Sequence, residues 1–116
     1  MSKFLVMYQV PVAVIENWKT TDVETRKPAE EKMRQQWDAW MGEYGPAVTT
    51  TEAAGRTKRV TADGIADTKN DLMLYSTVEA PSHEAAAAMF AAHPHLQIPQ
   101  SWIEITEVRA MGGPQG

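Results

Sequence analysis

Leu72-Met-Leu-Tyr-Ser-Thr-Val78, Pro81-Ser82 opening an alanine-rich run to Ala92, and Trp102-Ile-Glu-Ile-Thr-Glu-Val-Arg109 read in order as strand, helix and strand. In the first strand one face holds Leu72, Leu74, Ser76 and Val78 and the other Met73, Tyr75 and Thr77. Neither face is plainly polar, which marks a strand covered on both sides. Ser82 is suited to cap the helix, whose Ala85, Ala86, Met89, Phe90 and Ala92 give an apolar side of mostly small residues that lets a sheet come close. His93-Pro94 ends it, because the residue before proline is pushed out of the helical region. In the last strand Ile103 and Ile105 share one face and Trp102, Glu104 and Thr106 the other, so an inward Val108 requires a bulge near Thr106 or Glu107.

Phe4-Leu-Val-Met-Tyr-Gln-Val10 has the same character, with Phe4, Val6 and Tyr8 on one face and Leu5 and Met7 on the other. Pro11 to Lys27 shows no sustained period and reads either as a binding loop or lid, or as a short helical turn in which Val14, Ile15 and Trp18 pack over an edge. A helix is expected from near Pro28, with Met33, Trp37, Trp40, Met41 and Tyr44 as its apolar stripe, stopped by Gly42, Gly45 and Pro46. Ala47–Glu52 and Thr57–Thr61 are threonine-rich strand pieces suited to an edge, and 62–71 is a turn region.

This order predicts the α+β, ferredoxin-like βαββαβ arrangement: a four-stranded antiparallel sheet with two helices on one face. Two helices cover only one face of a sheet that is apolar on both. The other face then needs a second copy of the chain, and an isologous homodimer is expected, with a cavity at the paired sheets.

The 116 residues fit a single domain over 1–111, followed by Gly112-Gly-Pro-Gln-Gly116 as a flexible tail. No apolar run approaches the roughly 20 residues of a membrane span, and the N-terminus lacks a secretory h-region, so the expected location is cytoplasmic with no membrane partner. A net charge of −4 argues against nucleic acid. Without cysteine there is no disulfide, zinc-thiolate site or thiol nucleophile.

Asp63-Gly-Ile-Ala-Asp-Thr-Lys69, Leu74-Tyr75, Val78-Glu-Ala80, the alanine-rich helix, His93-Pro94, Ile103-Glu-Ile105 and Glu107-Val-Arg109 together resemble the YCII-related and DGPF-domain proteins. That resemblance implies the dimeric α/β barrel superfamily, a fold shared by enzymes of several chemistries, so it implies a fold and a cavity and not a reaction. The DGPF signature has Pro-Phe where this chain has Ile65-Ala66. Some YCII members use a histidine and an aspartate near the first strand and helix, where this chain carries Gln35, Gln36, Trp37 and Asp38.

Candidate catalytic residues are His93, His95, Asp63 and Asp67. Imidazole suits proton transfer near neutral pH, and a carboxylate in a cavity can serve as a base. The plainer alternatives are that His93 caps a helix C-terminus as a cation, that His95 sits on a wet corner, and that the aspartates brace a turn. Two histidines one residue apart make only part of a metal site, needing Asp63, Asp67 or Glu104 besides, and no metal or cofactor is assigned. Tyr8, Tyr75, Glu104 and Arg109 are candidates for ligand binding, with packing or solvation as the alternative. Two functions follow. One is a cofactor-free enzyme doing proton-transfer chemistry on a small lactone, ketone or aromatic; the other is a non-catalytic dimer that binds a small molecule or a protein. Only the first needs a titratable group facing an enclosed pocket.

Overall fold

The computed structural model describes residues 1–111, and the expected flexible tail at 112–116 lies outside them. The first strand, β1 (Ser2–Gln9), runs between β5 (Leu72–Ala80) and β6 (Trp102–Val108), antiparallel to both, and β2 (Val48–Ala53) adds outside β5. The resulting sheet, β2-β5-β1-β6, has the ferredoxin-like order, with the two most apolar strands at its centre and the threonine-rich strand at an edge. Two further strands, β3 (Thr57–Thr61) and β4 (Gly64–Thr68), pair only with each other. Thr61 pairs with Gly64 around Ala62-Asp63, and Gly64 has φ 137°, a value that L side chains rarely adopt. The 62–71 stretch is therefore more than a turn. Its strand escapes detection because Gly64-Ile-Ala-Asp-Thr68 has little apolar content.

Three α-helices, not two, accompany the sheet. The 11–27 segment holds α1 (Val12–Lys19) and the start of α2 (Val23–Tyr44). The first N–H of α1 is taken by the Asp71 carboxylate at 3.2 Å, which ties the helix to the head of β5. The second helix starts five residues before Pro28 because Asp22 caps it, accepting the Glu24 N–H at 3.1 Å; Pro28 sits inside the helix rather than at its start. Ser82 caps α3 (His83–Met89) by accepting the Ala85 N–H, and the helix stops at Met89, short of Ala92.

Phe4, Val6, Tyr8, Val78 and Ala80 of the sheet meet Trp40, Ala86 and Phe90 in one buried core. Trp40 is fixed there by donating its indole N–H to the Met89 carbonyl at 2.9 Å. Ile103 and Ile105 pack on the same side. Val108 does not: the β1–β6 register runs unbroken from Lys3–Val108 to Gln9–Trp102, so Val108 falls on the opposite face and no bulge occurs near Thr106. The irregularity lies instead between Tyr8 and Gln9, whose partners Leu74 and Leu72 leave Met73 unpaired.

The face away from the helices carries Leu5, Met7, Tyr75 and Trp102, all half-buried, with Lys3, Glu79 and threonines around them. The described chain is a slab of 55 × 45 × 20 Å. Its radius of gyration, 16.5 Å, exceeds the roughly 13 Å of a compact domain of this length.

Candidate ligand cleft and buried polar cluster

The two histidines lie under the helices. Tight turns after α3 carry the chain through His93 into a 3-10 turn at Pro94–Gln97, and both imidazoles are 1 % exposed. His95 is thus no wet corner, and His93 is no solvated cationic cap. Nδ1 of His93 accepts the His95 backbone N–H at 3.0 Å, and His95 Nε2 lies 3.0 Å from the Gln9 carbonyl, to which it donates. Burial drives His93 down to about 4, with repulsion from His95 adding to the effect. His95 is lowered too, chiefly by burial, against hydrogen bonds to the Gln9 and Trp102 backbone that favour its charged form. Both rings are neutral near pH 7.

Tyr8 stands beside them, its ring centroid 5.3 Å from His93 and 5.5 Å from His95. Its hydroxyl pairs with Ser76 Oγ at 2.9 Å, and Ser76 Oγ pairs with Thr51 Oγ1 at 2.7 Å. Burial raises the Tyr8 phenol above its usual value, and the Ser76 bond offsets part of that. Tyr8, His93 and His95 are therefore brought together by β1 and the Pro94–Gln97 turn.

The other candidates lie apart. Asp63 is exposed at the tip of the β3–β4 hairpin, and Asp67 is exposed on its stem, paired with Lys58 at 2.6 Å. Arg109 follows β6 and pairs with Glu107 at 3.0 Å on the surface, holding that carboxyl below its ordinary range. Tyr75 and Glu104 sit on the open sheet face in the cross-strand row Glu52, Tyr75, Met7, Glu104. Tyr75 donates to Glu52 at 2.9 Å, which raises its phenol. Glu104 accepts from Gln9 Nε2 and Trp102 Nε1, both at 3.1 Å. No group of three potential metal ligands converges among the described residues.

A cleft of about 850 Å³ opens between α1, the middle of α2 and the segment Gln97–Pro99. Its wall is largely apolar, with Ile15, Trp18, Met33, Trp37, Met73 and Ile98 prominent. The bulge in β5 accounts for Met73, since an unpaired strand residue can be re-aimed. Trp18 of α1 donates to Glu30 of α2 at 3.3 Å and bridges the two helices. A second hollow, about 980 Å³, lies between α1, the head of β5 and the hairpin base, crossed by the Lys69–Glu16 pair at 2.7 Å. Asp67 lines this hollow; neither histidine lines either one.

Gln36 and Trp37 are the residues that a search for titratable groups overlooks. Gln36 lines the cleft and Trp37 separates it from His93, the two rings lying perpendicular at 4.3 Å. The available signal is positional. Met33, Gln36, Trp37 and Trp40 recur at i, i+3, i+4 and i+7, so one amide stands inside an otherwise apolar stripe.

No protein-family model matches the chain, and no curated protein matches it in sequence. Among solved structures it is similar to 5-chloro-2-hydroxyhydroquinone dehydrochlorinase from Burkholderia phenoliruptrix AC1100, in complex with 2,5-dihydroxybenzoquinone. The TM-score is 0.50 at 11 % identity, over 97 % of this chain and 96 % of that one. A likeness this distant establishes the common α+β fold across nearly the whole chain and nothing of its chemistry.

No helix among the described residues is long and apolar enough to cross a membrane.

Proposed function

We propose that this chain is a YCII/DGPF-type homodimer that binds a compact, mostly apolar small molecule in the cleft between α1 and α2. The observation that carries the reading is the cleft wall itself. Large enough for a small ring system, it is built from tryptophan, methionine and branched side chains, and neither His93 nor His95 lines it. That favours holding a molecule over transforming it.

Dimerisation draws support from the thin protomer and from Leu5, Met7, Tyr75 and Trp102 on the uncovered sheet face, which a second copy would shield. The cleft lies at the helices and not at that face, so in this reading the dimer supports the binding site rather than forming it.

A thermal-shift screen against small aromatics and lactones tests the proposal, because a ligand selective for the native state raises the melting temperature. Hits should lose their effect in Ile98→Asp, which places a charge in the cleft. A panel without hits, or hits indifferent to Ile98→Asp, removes the reading.

A catalytic second reading, proton transfer without an organic cofactor on a lactone, ketone or aromatic, has one specific support. Glu104 is a carboxylate oriented by two donors on the sheet face, beside Met7. The fold neighbour's name is that of an enzyme acting on a hydroxylated, chlorinated aromatic. Turnover abolished by Glu104→Gln with the fold intact would favour catalysis.

A further inference from the structure

We propose that the hollow between α1, the head of β5 and the hairpin base is a second binding site, one that takes a small carboxylic acid with an apolar body. Arg56 receives the carboxylate, Lys19 adds to the attraction, and Ile15, Leu72 and Met73 carry the body. The hollow shares only Ile15 and Met73 with the α1–α2 cleft, so this site goes beyond the reading above.

Four of the chain's eleven Lys and Arg residues line this hollow, in a protein whose net charge is −4. They come from segments far apart in sequence: Lys19 from the last turn of α1, Arg56 and Lys58 from the link into β3 and its start, and Lys69 from the chain after β4. Three carboxylates line it as well, and each is already engaged. Glu16 pairs with Lys69 at 2.7 Å and Asp67 with Lys58 at 2.6 Å, while Asp71 accepts the Val12 N–H at 3.2 Å. Lys19 and Arg56 have no ion-pair partner among the described residues. Lys69 first, by hydrogen bond and charge, and Lys19 after it hold the Glu16 carboxyl below its ordinary range, so the Lys19 charge is felt at the hollow's wall.

The link that carries Arg56 is fixed beside the floor. Ala54 donates its N–H to the Met73 carbonyl at 3.0 Å, at the bulge of β5. Met73 is 37 % exposed there, an apolar side chain left uncovered next to a cation.

These observations select the ligand. Four cations against three carboxylates leave one positive charge, which a single carboxylate neutralises and a phosphate dianion overshoots. A guanidinium offers a carboxylate two parallel N–H donors. Inorganic anions would leave Ile15, Leu72 and Met73 in water, whereas an apolar body covers them. An organic cation would find every carboxylate taken.

The test titrates the ¹⁵N-labelled full chain at low ionic strength with phenylacetate and with phenylacetamide, which matches it in shape and lacks the charge. Phenylacetate should bind at least about ten-fold more tightly, move the Gly55 and Arg56 amide resonances, and weaken as salt is added. Arg56→Gln should collapse the difference and leave phenylacetamide affinity unchanged; Lys19→Gln should reduce it by a smaller factor. Both side chains are exposed, so neither change disturbs the core. Ile98→Asp, which alters only the cleft, should change nothing here. Equal affinity of the two probes, or displacement of phenylacetate by an equal concentration of inorganic phosphate, would overturn the assignment. Phenylacetate binding lost in Ile98→Asp would overturn it too, by placing the acid in the cleft. Binding of neither probe would remove the second site and leave the cleft to its own screen.

Discussion

His95 donates its backbone N–H to Nδ1 of His93 across 3.0 Å, inside a shell made by Tyr8, Trp37, Trp40 and Phe90. The contact fixes the tautomer of His93 and excludes water from its charged form. A histidine near 6.5 in the unfolded chain and at about 4 in the folded one binds its proton more weakly when folded. The unfolded state therefore holds more protons between those values, and stability is full above about pH 6.5 and declines as the pH falls through 4. The loss at the acid end is about 3 kcal/mol from His93 alone, and His95, also lowered, adds to it. Urea denaturation at pH 7.5 and 4.5 should show this decline, and His93→Phe should flatten it. A wild-type stability independent of pH over that range would contradict the buried neutral imidazole.

Ser76 joins two hydroxyls, Tyr8 at 2.9 Å and Thr51 at 2.7 Å. Removing the centre of such a chain differs from removing an end. Tyr8→Phe leaves Ser76 still bonded to Thr51 and should cost about 1 kcal/mol, whereas Ser76→Ala leaves the Tyr8 phenol buried with no partner and should cost about 1–3 kcal/mol. Chemical denaturation of the two variants gives the order. Ser76→Ala being the milder change would show that the phenol finds another acceptor.

Met7 occupies the middle of the open sheet face, between Tyr75 and Glu104 in the row that also holds Glu52. Met7→Glu would add a carboxylate to a row that already carries one at each end, and would place it where the second copy is proposed to pack. Sedimentation should give twice 12.9 kDa for the wild type and a monomer for Met7→Glu. A wild-type monomer at micromolar concentration would sink the proposed dimer.

The central strands were readable because Phe4–Val10 and Leu72–Val78 are continuous apolar runs, a pattern that only a doubly covered strand requires. The Ser82 cap and the edge role of the Val48–Ala53 strand were readable from local chemistry as well. Pro28 misled because proline favours the first helical position, yet Asp22 caps six residues earlier and sets the start of α2. The candidate site was less legible. His93-Pro94-His95 has the composition of a reactive corner, and what makes it core is the arrival of Trp37 and Trp40 from a helix more than fifty residues earlier in the chain. Nothing local to the motif records that. Gln36 stood in the apolar stripe of α2, but an amide carries no charge to draw attention and its isolation becomes visible only when its carbonyl is seen buried.

Asp63 and Asp67 are where the two functional readings part most cheaply. Both carboxylates are exposed on the β3–β4 hairpin, which pairs with no strand of the main sheet, and the Lys58–Asp67 contact is a surface pair of the kind worth little to stability. A base must reach the proton it removes, at about 3 Å or through one water. Asp67 lines the hollow beside α1 and Asp63 the hairpin tip; neither lines the apolar cleft. Asp63→Asn and Asp67→Asn should each change stability by less than about 0.5 kcal/mol and leave the affinity for hits of the thermal-shift screen unaltered. Urea denaturation of the two variants measures the first quantity and calorimetric titration with those hits the second. A clear loss of affinity in Asp67→Asn would move the binding site to the hollow at the hairpin base and return the aspartates to candidacy.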